Sequence, residues 1–513
     1  METIIRKIDR TNINKDFIEE AGTILKQGGL VAFPTETVYG LGANALNEEA
    51  AKKTYAAKGR PSDNPLIVHI ARTSDLEEIV EEIPPQAFGL AEVFWPGPLT
   101  MIFRKSACVP YGTTGGLDTV AVRMPDDEIA RELILAGGGY ISAPSANTSG
   151  RPSPTAAQHV EEDLEGKIEM ILDGGSVEIG VESTIVDMTV TPPMILRPGA
   201  VTKEMLEEIV GEVAVDITLL SEDSTQAPKA PGMKYRHYAP KAEMILVEGE
   251  PREAVKAIKQ IAYEQVRMGE KVGIIATNES VGSYTAGVVK SIGSRENERT
   301  VARSLYRVLR EFDEENVRYI YSEVFPEVGI GTAVMNRLGK AAGHKTIRAE
   351  AITCLQKYHR IVFVSNSDNC RAPIAAALME RQPLLQEFQI TSRGMVVLFP
   401  EPLSPRAEEL LASRQIVLEG YEAVAFSDDI LNEDTLVLTM EQAQKQKILG
   451  EYPKFKEVYT LGEFTGSGDE VPQVYGQPQE EYDRMFMLIE ENVRKLADQL
   501  NEEAKCKYRV YTE

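Results

Sequence analysis

The chain has 513 residues, of which 43% are hydrophobic and 26% charged, so it is long enough for about three globular domains. Its 55 basic and 79 acidic residues give a formal net charge of −24, which argues against extended nucleic-acid binding. Four cysteines without paired spacing argue against a disulfide framework or a zinc site. The lack of a secretory segment or a long apolar run predicts a cytoplasmic protein without a membrane span.

Short apolar segments that alternate with helical patterns predict a mixed α/β domain over residues 1–213. Strands are predicted at residues 28–34, 64–71, 118–125, 140–146 and 183–189, and a helix at residues 48–60. Residues 214–241 are rich in Pro, Gly, Ser and Thr and have no sustained period, which predicts a long linker. A connection of this length is usually functional or disordered.

A second α/β domain is predicted over residues 242–349 and a third over residues 359–513. In the second, strands at residues 242–249, 271–278 and 318–324 alternate with helices at residues 251–269, 303–312 and 331–345. The third begins with a strand, a tight loop and a helix at residues 360–382. It continues with a strand at residues 435–440 and ends in a long amphipathic helix from residue 480 to about residue 503.

Four clusters in the first domain combine hydroxyl groups, glycines and cations. They are PTETVYGLGANA at residues 34–45, KGRPSDNPLIVHI at residues 58–70, SAPSANTSGRPSPT at residues 142–155, and GVESTIVD with LRPGAV within residues 180–201. Each alone is typical of an ordinary turn, a solvated helix end or a core histidine. Lys58 and Arg60 are two neighbouring cations beside a restricted Arg-Pro backbone, which suits a polyphosphate. The occurrence of all four clusters in one domain favours a binding site.

On these strings the first domain resembles the YrdC-type threonylcarbamoyl-AMP synthase family over essentially its whole length. APGMKYRHYAP, at residues 230–240, and the α/β domain after it resemble the longer form of that family. The resemblance implies a twisted α/β domain with a large concave site, followed by a Rossmann-like domain. It also implies that L-threonine, bicarbonate and ATP, with Mg²⁺, give L-threonylcarbamoyladenylate and pyrophosphate. That product would pass to downstream proteins that modify tRNA with threonylcarbamoyladenosine.

The same resemblance assigns the site residues. The catalytic group is Lys58, Arg60, Ser145 and Asn147, in which the two cations would clamp the departing pyrophosphate. ATP would be surrounded by Arg60, Asn64, Thr119, Ser145, Ser153, Arg197 and His237. Threonine would be held by Thr35 or Thr37, His69, Arg123, the backbone of Ala143, and Ser183. Arg123 is the natural partner of the threonine carboxylate, because its guanidinium binds carboxylates through two bonds. The linker with His237 would act as a lid that excludes water.

The third domain resembles the low-molecular-weight tyrosine phosphatase family from about residue 360 to residue 500. Arg371 and the helix after it match that family's phosphate-binding loop. Ser365, however, stands where the nucleophilic cysteine belongs, and Ala372 replaces the hydroxyl group that assists the thiolate. Asp368 adds negative charge to a loop that should bind an anion. Cys370 matches a family position and is expected to be a small buried residue.

The general acid of that family is also missing, because its Asp-Pro-aromatic frame reads Gln473-Val474-Tyr475 here. A serine hydroxyl without a neighbouring base is a poor nucleophile, so we expect a pseudophosphatase with the parallel α/β sandwich of the family.

Two alternatives for the function of the protein remain open from the sequence. One is a double-stranded RNA-binding module without chemistry, and the other is a bifunctional protein with an active phosphatase domain.

Overall fold

The computed structural model describes residues 2–216, 238–351, 357–384, 386–503 and 510–512. These residues form two units, one within Met1–Ala351 and Arg509–Glu513 and the other within Ile352–Tyr508. Across the described ranges, no helix is both long and apolar enough to cross a membrane.

The first part of unit one contains a mixed sheet. Its strands are β1 (Ile4–Lys7), β2 (Val31–Phe33), β3 (Gly40–Asn44), β4 (Ile67–His69), β5 (Leu99–Arg104), β6 (Thr119–Arg123), β7 (Ile141–Ser142), β8 (Met170–Asp173), β9 (Thr184–Asp187), β10 (Met194–Arg197) and β11 (Ala214–Val215). Its helices are α1 (Lys15–Lys26), α2 (Glu48–Lys58), α3 (Leu76–Ile79), α4 (Pro85–Phe94), α5 (Tyr111–Thr114), α6 (Glu128–Ala136), α7 (Ala157–Leu164) and α8 (Lys203–Val210). The strands lie in the order β1-β8-β2-β3-β7-β4-β6-β5-β9-β10-β11.

Helix α2 shows how local sequence positions the site. The Asn47 side chain accepts hydrogen bonds from the first-turn amides of Glu49 and Ala50, which starts the helix. Gly59 ends it with φ +64°, a left-handed conformation that glycine adopts without steric cost. The helix therefore ends at Lys58, and Arg60 begins the loop that follows.

The second part of unit one is a Rossmann-like sheet with three helices. Its strands are β12 (Glu243–Glu248), β13 (Val272–Ala276), β14 (Val288–Ser291), β15 (Tyr319–Glu323) and β16 (Lys345–Arg348), and its helices are α9 (Pro251–Arg267), α10 (Glu298–Glu315) and α11 (Gly331–Ala342). These strands pair in parallel in the order β14-β13-β15-β12-β16. The predicted α/β class is confirmed. The predicted helix end at residue 345 was wrong, because Gly343 ends α11 with φ +58° and β16 begins at Lys345.

The two parts of unit one share one hydrophobic core. Val38 and Val181 from the first part, and Tyr238 from the linker, pack in the same buried cluster as the apolar faces of α10 and α11. Because α10 and α11 lie against the first part, their side chains can reach the site that the first part carries.

Unit two has a four-stranded sheet, all of whose pairs are parallel. Its strands are β17 (Arg360–Ser365), β18 (Gln389–Gly394), β19 (Thr435–Thr439) and β20 (Val458–Thr460), and its helices are α12 (Arg371–Glu380), α13 (Pro405–Ala412), α14 (Gln442–Glu451), α15 (Leu461–Phe464) and α16 (Gln479–Glu503). A last strand, β21 (Tyr511–Thr512), belongs to unit one and pairs with β16.

Strand β17 explains why this sheet is buried on both faces. Ile361 and Phe363 lie in one hydrophobic cluster, whereas Val362 and Val364 lie in another on the opposite face. Successive side chains of a strand point to opposite faces, so a strand covered on both sides reads as a continuous apolar run. The predicted parallel sandwich is confirmed.

Candidate active site

A cavity in unit one brings together many of the residues that the sequence predicted for the site. The predicted residues that line it are Arg60, His69, Arg123, Ala143, Ser145, Asn147, Ser153, Ser183 and Arg197. Six residues that were not predicted for the site also line the cavity, namely Val38, Ile67, Pro144, Arg151, Glu182 and Tyr238. Residues assigned to ATP and residues assigned to threonine therefore line the same cavity.

Two arginines at one side of the cavity are held by backbone carbonyl groups. Arg60 donates from Nε to the carbonyl of Asn64 at 3.2 Å and from Nη2 to that of Pro65 at 3.0 Å. Arg197, at the end of β10, donates from Nε to the carbonyl of Ser183 at 3.0 Å. Burial lowers the pKa of Arg60 to about 10, and that of Arg197 below its ordinary value, without removing either charge near pH 7. The site is therefore strongly cationic.

The loop after β7 carries Ser145 and Asn147. Lys58 forms hydrogen bonds to the backbone of this loop. The Lys58 ammonium donates to the carbonyl groups of Ser145 and Asn147, each at 2.5 Å, and the residue is 1% exposed. Burial lowers the pKa of Lys58 well below its ordinary value. Lys58 is not part of the cavity lining, so its contacts in this structure position the loop.

Asn147 has an acceptor without a partner. Its amide nitrogen donates to the carbonyl groups of Thr148 and Arg151, at 2.9 and 3.0 Å. Its amide oxygen is buried and has no hydrogen-bond partner. A buried acceptor of this kind is costly, and a bound ligand or cation would satisfy it.

The other side of the cavity contains His69 and Arg123, which lie opposite each other on the parallel strands β4 and β6. Arg123 forms a buried ion pair with Glu36, with 2.7 Å between Nη2 and Oε1. The His69 Nδ1 lies 3.1 Å from the carbonyl of Ile67. A carbonyl can only accept, so Nδ1 carries the proton and Nε2 of the neutral ring is an acceptor.

The remaining predicted residues do not line the cavity or lie outside the described ranges. Thr35 and Thr37 are buried and share a hydrogen bond of 2.9 Å between their hydroxyl groups. Asn64 is buried beside Arg60, and its amide oxygen has no hydrogen-bond partner. Thr119 is the half-buried first residue of β6. His237 and most of the proposed lid lie outside the described residues.

Sequence reasoning missed a polar network around Glu182. This buried carboxylate accepts from the hydroxyl of Ser153 at 2.5 Å and from that of Tyr306, on α10, at 2.8 and 3.0 Å. Arg337 on α11 donates to it from Nε at 3.1 Å. The available signal was a pattern: Arg337 lies among the buried positions of a helix that is otherwise apolar on that face.

The arginines of the site are inside the protein rather than on an exposed face. Arg60, Arg123 and Arg197 are 9%, 4% and 5% exposed. These three cations are therefore placed to meet a ligand inside the cavity rather than a phosphate backbone on the surface. A cationic cavity lined from the inner strands of a mixed α/β sheet defines an enzyme that handles small anionic substrates.

Comparison with known proteins gives the family. Residues 23–199 match the family model described as "Telomere recombination", residues 201–343 match "Threonylcarbamoyl-AMP synthase, C-terminal domain", and residues 360–506 match "Low molecular weight phosphotyrosine protein phosphatase". The chain is 51% identical over 347 residues to the threonylcarbamoyl-AMP synthase of Pyrococcus abyssi, covering 67% of this chain and 99% of that protein. It is 49% identical over 341 residues to that of Bacillus subtilis, covering 66% and 97%.

A solved structure agrees. The crystal structure of P. abyssi Sua5 complexed with L-threonine is 49% identical, has a TM-score of 0.65, and covers 67% of this chain and 99% of that one. The chain belongs to the threonylcarbamoyl-AMP synthase family. It carries an additional low-molecular-weight phosphatase-like region after the synthase region, as the sequence predicted.

The loop after β17 differs chemically from an active phosphatase loop. The Ser365 hydroxyl donates to the carbonyl of Ser367 at 2.8 Å, and Ser365 is 1% exposed. Arg371 donates from Nη1 to Glu441 at 2.6 Å and to the carbonyl of Val471 at 2.7 Å.

Two further residues of this loop, Asp368 and Cys370, are affected by burial. Burial raises the pKa of Asp368, whose carboxylate accepts from the amide of Val424 at 3.0 Å. Burial also raises the pKa of the Cys370 thiol, which disfavours a thiolate. Cys370 is half-buried and packs against the hydrophobic cluster that contains α12, so it is less buried than expected.

Proposed function

We propose that the cavity of unit one synthesises L-threonylcarbamoyladenylate from L-threonine, bicarbonate and ATP, for the threonylcarbamoyladenosine modification of tRNA. The observation that carries this proposal is that several of the residues assigned to each of the two substrates line one cavity. Two reactants held side by side react as if at very high local concentration. Transfer proteins that accept the adenylate would be the downstream partners.

The reaction requires one bond to phosphorus to form and one to break. The amine of threonine takes up bicarbonate to give a carbamate and water. A carbamate oxygen then attacks the α-phosphorus of ATP, and the bond to the β,γ-pyrophosphate breaks. Negative charge moves onto the pyrophosphate, so preorganised cations beside it stabilise the transition state.

The contacts of Arg60 and Arg197 support a role at the phosphates. Both guanidinium groups are fixed by backbone carbonyls, so little reorganisation is needed when charge develops. We assign the departing pyrophosphate to Arg60. Lys58, which was predicted as part of the same clamp, is assigned to holding the Ser145–Asn147 loop, because both its described hydrogen bonds go to that loop.

Mg²⁺ would enter with ATP. Its ligands are oxygens, and the unpartnered amide oxygen of Asn147 offers one within the cavity. The carboxylate of Glu182 is already engaged by Ser153, Tyr306 and Arg337. The metal would neutralise phosphate charge, and Asn147 is the residue that would hold it.

Threonine is assigned to the side with His69 and Arg123. Arg123 would bind the carboxylate in exchange for its ion pair with Glu36. The neutral His69 ring offers Nε2 as an acceptor for the threonine hydroxyl. Ser183 and the backbone of Ala143, which also line the cavity, complete this half. Tyr238, the aromatic residue just after the segment outside the described ranges, also lines it and supports a lid formed by the linker.

The pH dependence of stability tests the state of His69. Burial, together with the charge of Arg123, lowers the pKa of His69 to about 3. The unfolded chain binds a proton at this histidine below about pH 6.5, but the folded protein does not, so its contribution destabilises the fold as pH falls from about 6.5 towards 3. His69→Gln should make the thermal midpoint of unit one less dependent on pH between about 6.5 and 4. His359→Gln, at an exposed histidine of unit two, is the control. Parallel pH profiles of wild type and His69→Gln would contradict a neutral His69.

The proposed reaction is tested by pyrophosphate release. Purified full-length protein with ATP should release pyrophosphate only when threonine and bicarbonate are both present. Omission of either one, or replacement of threonine by valine, which lacks the hydroxyl group, should reduce release to background. Release that does not depend on threonine would contradict the proposed function.

For unit two we propose a pseudophosphatase. The contacts of the loop after β17 support this, because the side chain at the nucleophile position is a hydroxyl that already donates within the loop. General acid help is typically worth about 10²–10⁴-fold, and Gln473 cannot provide it.

The loss of activity should not be reversed by restoring the nucleophile alone. We expect Ser365→Cys to leave hydrolysis of an aryl phosphate near background, because Ala372 cannot assist the thiolate and the loop also contains the acidic residue Asp368. Recovery should need Ser365→Cys, Asp368→Asn, Ala372→Ser, Gln473→Asp and Val474→Pro together. The Arg371→Ala form of each variant is the control. Strong hydrolysis by the wild-type protein that is lost in Arg371→Ala would establish an active phosphatase instead.

A further inference from the structure

Arg337 of α11 crosses from the second part of unit one to the back of the nucleotide site. Its side chain has no exposed surface, and it donates to two points that are far away in sequence. Nε donates to the carboxylate of Glu182 at 3.1 Å, and Nη1 donates to the carbonyl of Pro198 at 2.5 Å. One guanidinium group therefore bonds to both Glu182, which precedes Ser183, and Pro198, which follows Arg197.

These two anchor points matter because Ser183 and Arg197 hold each other in the cavity wall. Arg197 donates to the backbone carbonyl of Ser183 at 3.0 Å and to its hydroxyl at 3.1 Å. Holding the neighbours of both residues restricts the motion of the pair. Arg310 of α10 makes a similar contact, because it donates to the carbonyl of Pro152, next to Ser153, at 2.6 Å.

Glu182 connects Arg337 to Ser153, because its carboxylate accepts hydrogen bonds from both side chains. An ionised carboxylate only accepts hydrogen bonds, so the Ser153 hydroxyl uses its one proton on Glu182. Its oxygen then faces a ligand as an acceptor. A phosphate oxygen is also an acceptor, so the ATP group next to Ser153 must be a donor. ATP offers donors only on its nucleoside, namely the exocyclic amine and the ribose hydroxyls.

Burial makes this arrangement depend on Arg337. Burial alone would raise the pKa of Glu182, but the charges of Arg337 and Arg197 bring it below its ordinary value. Removing one partner of a buried ion pair leaves the other charge uncompensated, which is strongly unfavourable. A carboxylate left in this state would repel the phosphates of ATP or take up a proton and release Ser153.

We propose that Arg337 is a positioning residue for the nucleotide site, which holds Glu182 and Pro198 so that Ser153 accepts a hydrogen bond from the nucleoside of ATP. The proposal rests on the assignment of ATP to this cavity. It makes the second part of unit one a component of the catalytic site rather than only a support for the linker.

Arg337→Met and Arg337→Met/Glu182→Gln test the proposal. We expect Arg337→Met to raise KM for ATP by at least about tenfold, since loss of one buried charge partner costs several kcal/mol. The double variant removes both charges, and we expect it to recover most of that loss. Arg295→Met is the matched control, because Arg295 pairs with Glu323 inside the second part. Its KM for ATP should stay close to that of the wild type.

The outcomes separate this proposal from the assignment on which it rests. Wild-type pyrophosphate release that requires threonine and bicarbonate establishes the reaction independently. If Arg337→Met then leaves KM for ATP unchanged, or if the double variant is no better than the single one, the positioning role is wrong.

Nucleotide analogues test the direction of the Ser153 hydrogen bond. Ser153→Ala should raise KM for ATP, and this effect should disappear with one analogue that lacks the 6-amino, 2′-hydroxyl or 3′-hydroxyl group. An effect of equal size with all three analogues would overturn the donor assignment.

Discussion

Arg60→Ala should lower the turnover of threonylcarbamoyladenylate synthesis by at least about a hundredfold, because it removes a fixed cation from the position that we assign to the departing pyrophosphate. Arg60 is 9% exposed and its guanidinium group is hydrogen-bonded to two backbone carbonyls, so neither water nor another side chain can take its position easily. Threonine binding, measured by calorimetry without ATP, should change much less. The measurement is steady-state pyrophosphate release at saturating substrates.

Arg104→Ala provides the control for this experiment. Arg104 ends strand β5 of the same sheet, and its side chain is exposed. We expect its turnover to match that of the wild type. Normal turnover in Arg60→Ala would show that the clamp has been assigned to the wrong residue, and loss of threonine binding would show that Arg60 mainly supports the fold.

Gly180→Ala should destabilise unit one and disturb the site together. Gly180 has φ +85°, and a Cβ atom there would lie 2.5 Å from the carbonyl oxygen of Ala302 and from the Cα of Arg303, both in α10. Backbone atoms of a packed helix cannot move away without breaking the contact with the first part. We expect the free energy of unfolding to fall by about 2–4 kcal/mol and KM for ATP to rise, because Glu182 lies two residues further on. Thermal unfolding and initial rates measure the two effects.

Gly175→Ala separates backbone strain from the clash with α10. Gly175 has φ +80°, close to that of Gly180, but a Cβ there would meet no atom within 4 Å. Only the left-handed conformation is then penalised, at about 1–2 kcal/mol. Equal destabilisation by the two variants would mean that contact with α10 contributes nothing.

Local patterns were sufficient to predict the main strands and helices. Strand β17 reads as a continuous apolar run because both its faces are buried. Helix α2 begins at an Asn cap and ends at a glycine, both of which are visible in the sequence. The same rule, applied more strictly, would have ended α11 at Gly343.

The sequence also predicted most of the cavity lining, through resemblance to a family. Residues such as Ser145 and Asn147 lie in long strings that match it. These sequence motifs do not indicate which of their side chains face the cavity. Lys58 belongs to the same motif as Arg60, yet it donates to the backbone behind the loop, because the helix end points its ammonium away from the lining.

By itself, the sequence determined the α/β class, the synthase family and the loss of the phosphatase nucleophile, because each depends on residues that are close together along the chain. Only the tertiary structure decided that Arg337 and Glu182 meet, 155 residues apart. The physical reason is that a buried charge is stable only beside a partner, and the partner is chosen by the packing of α11 against the first part. An arginine on the apolar face of a predicted helix indicates that such a partner exists, but not which one it is.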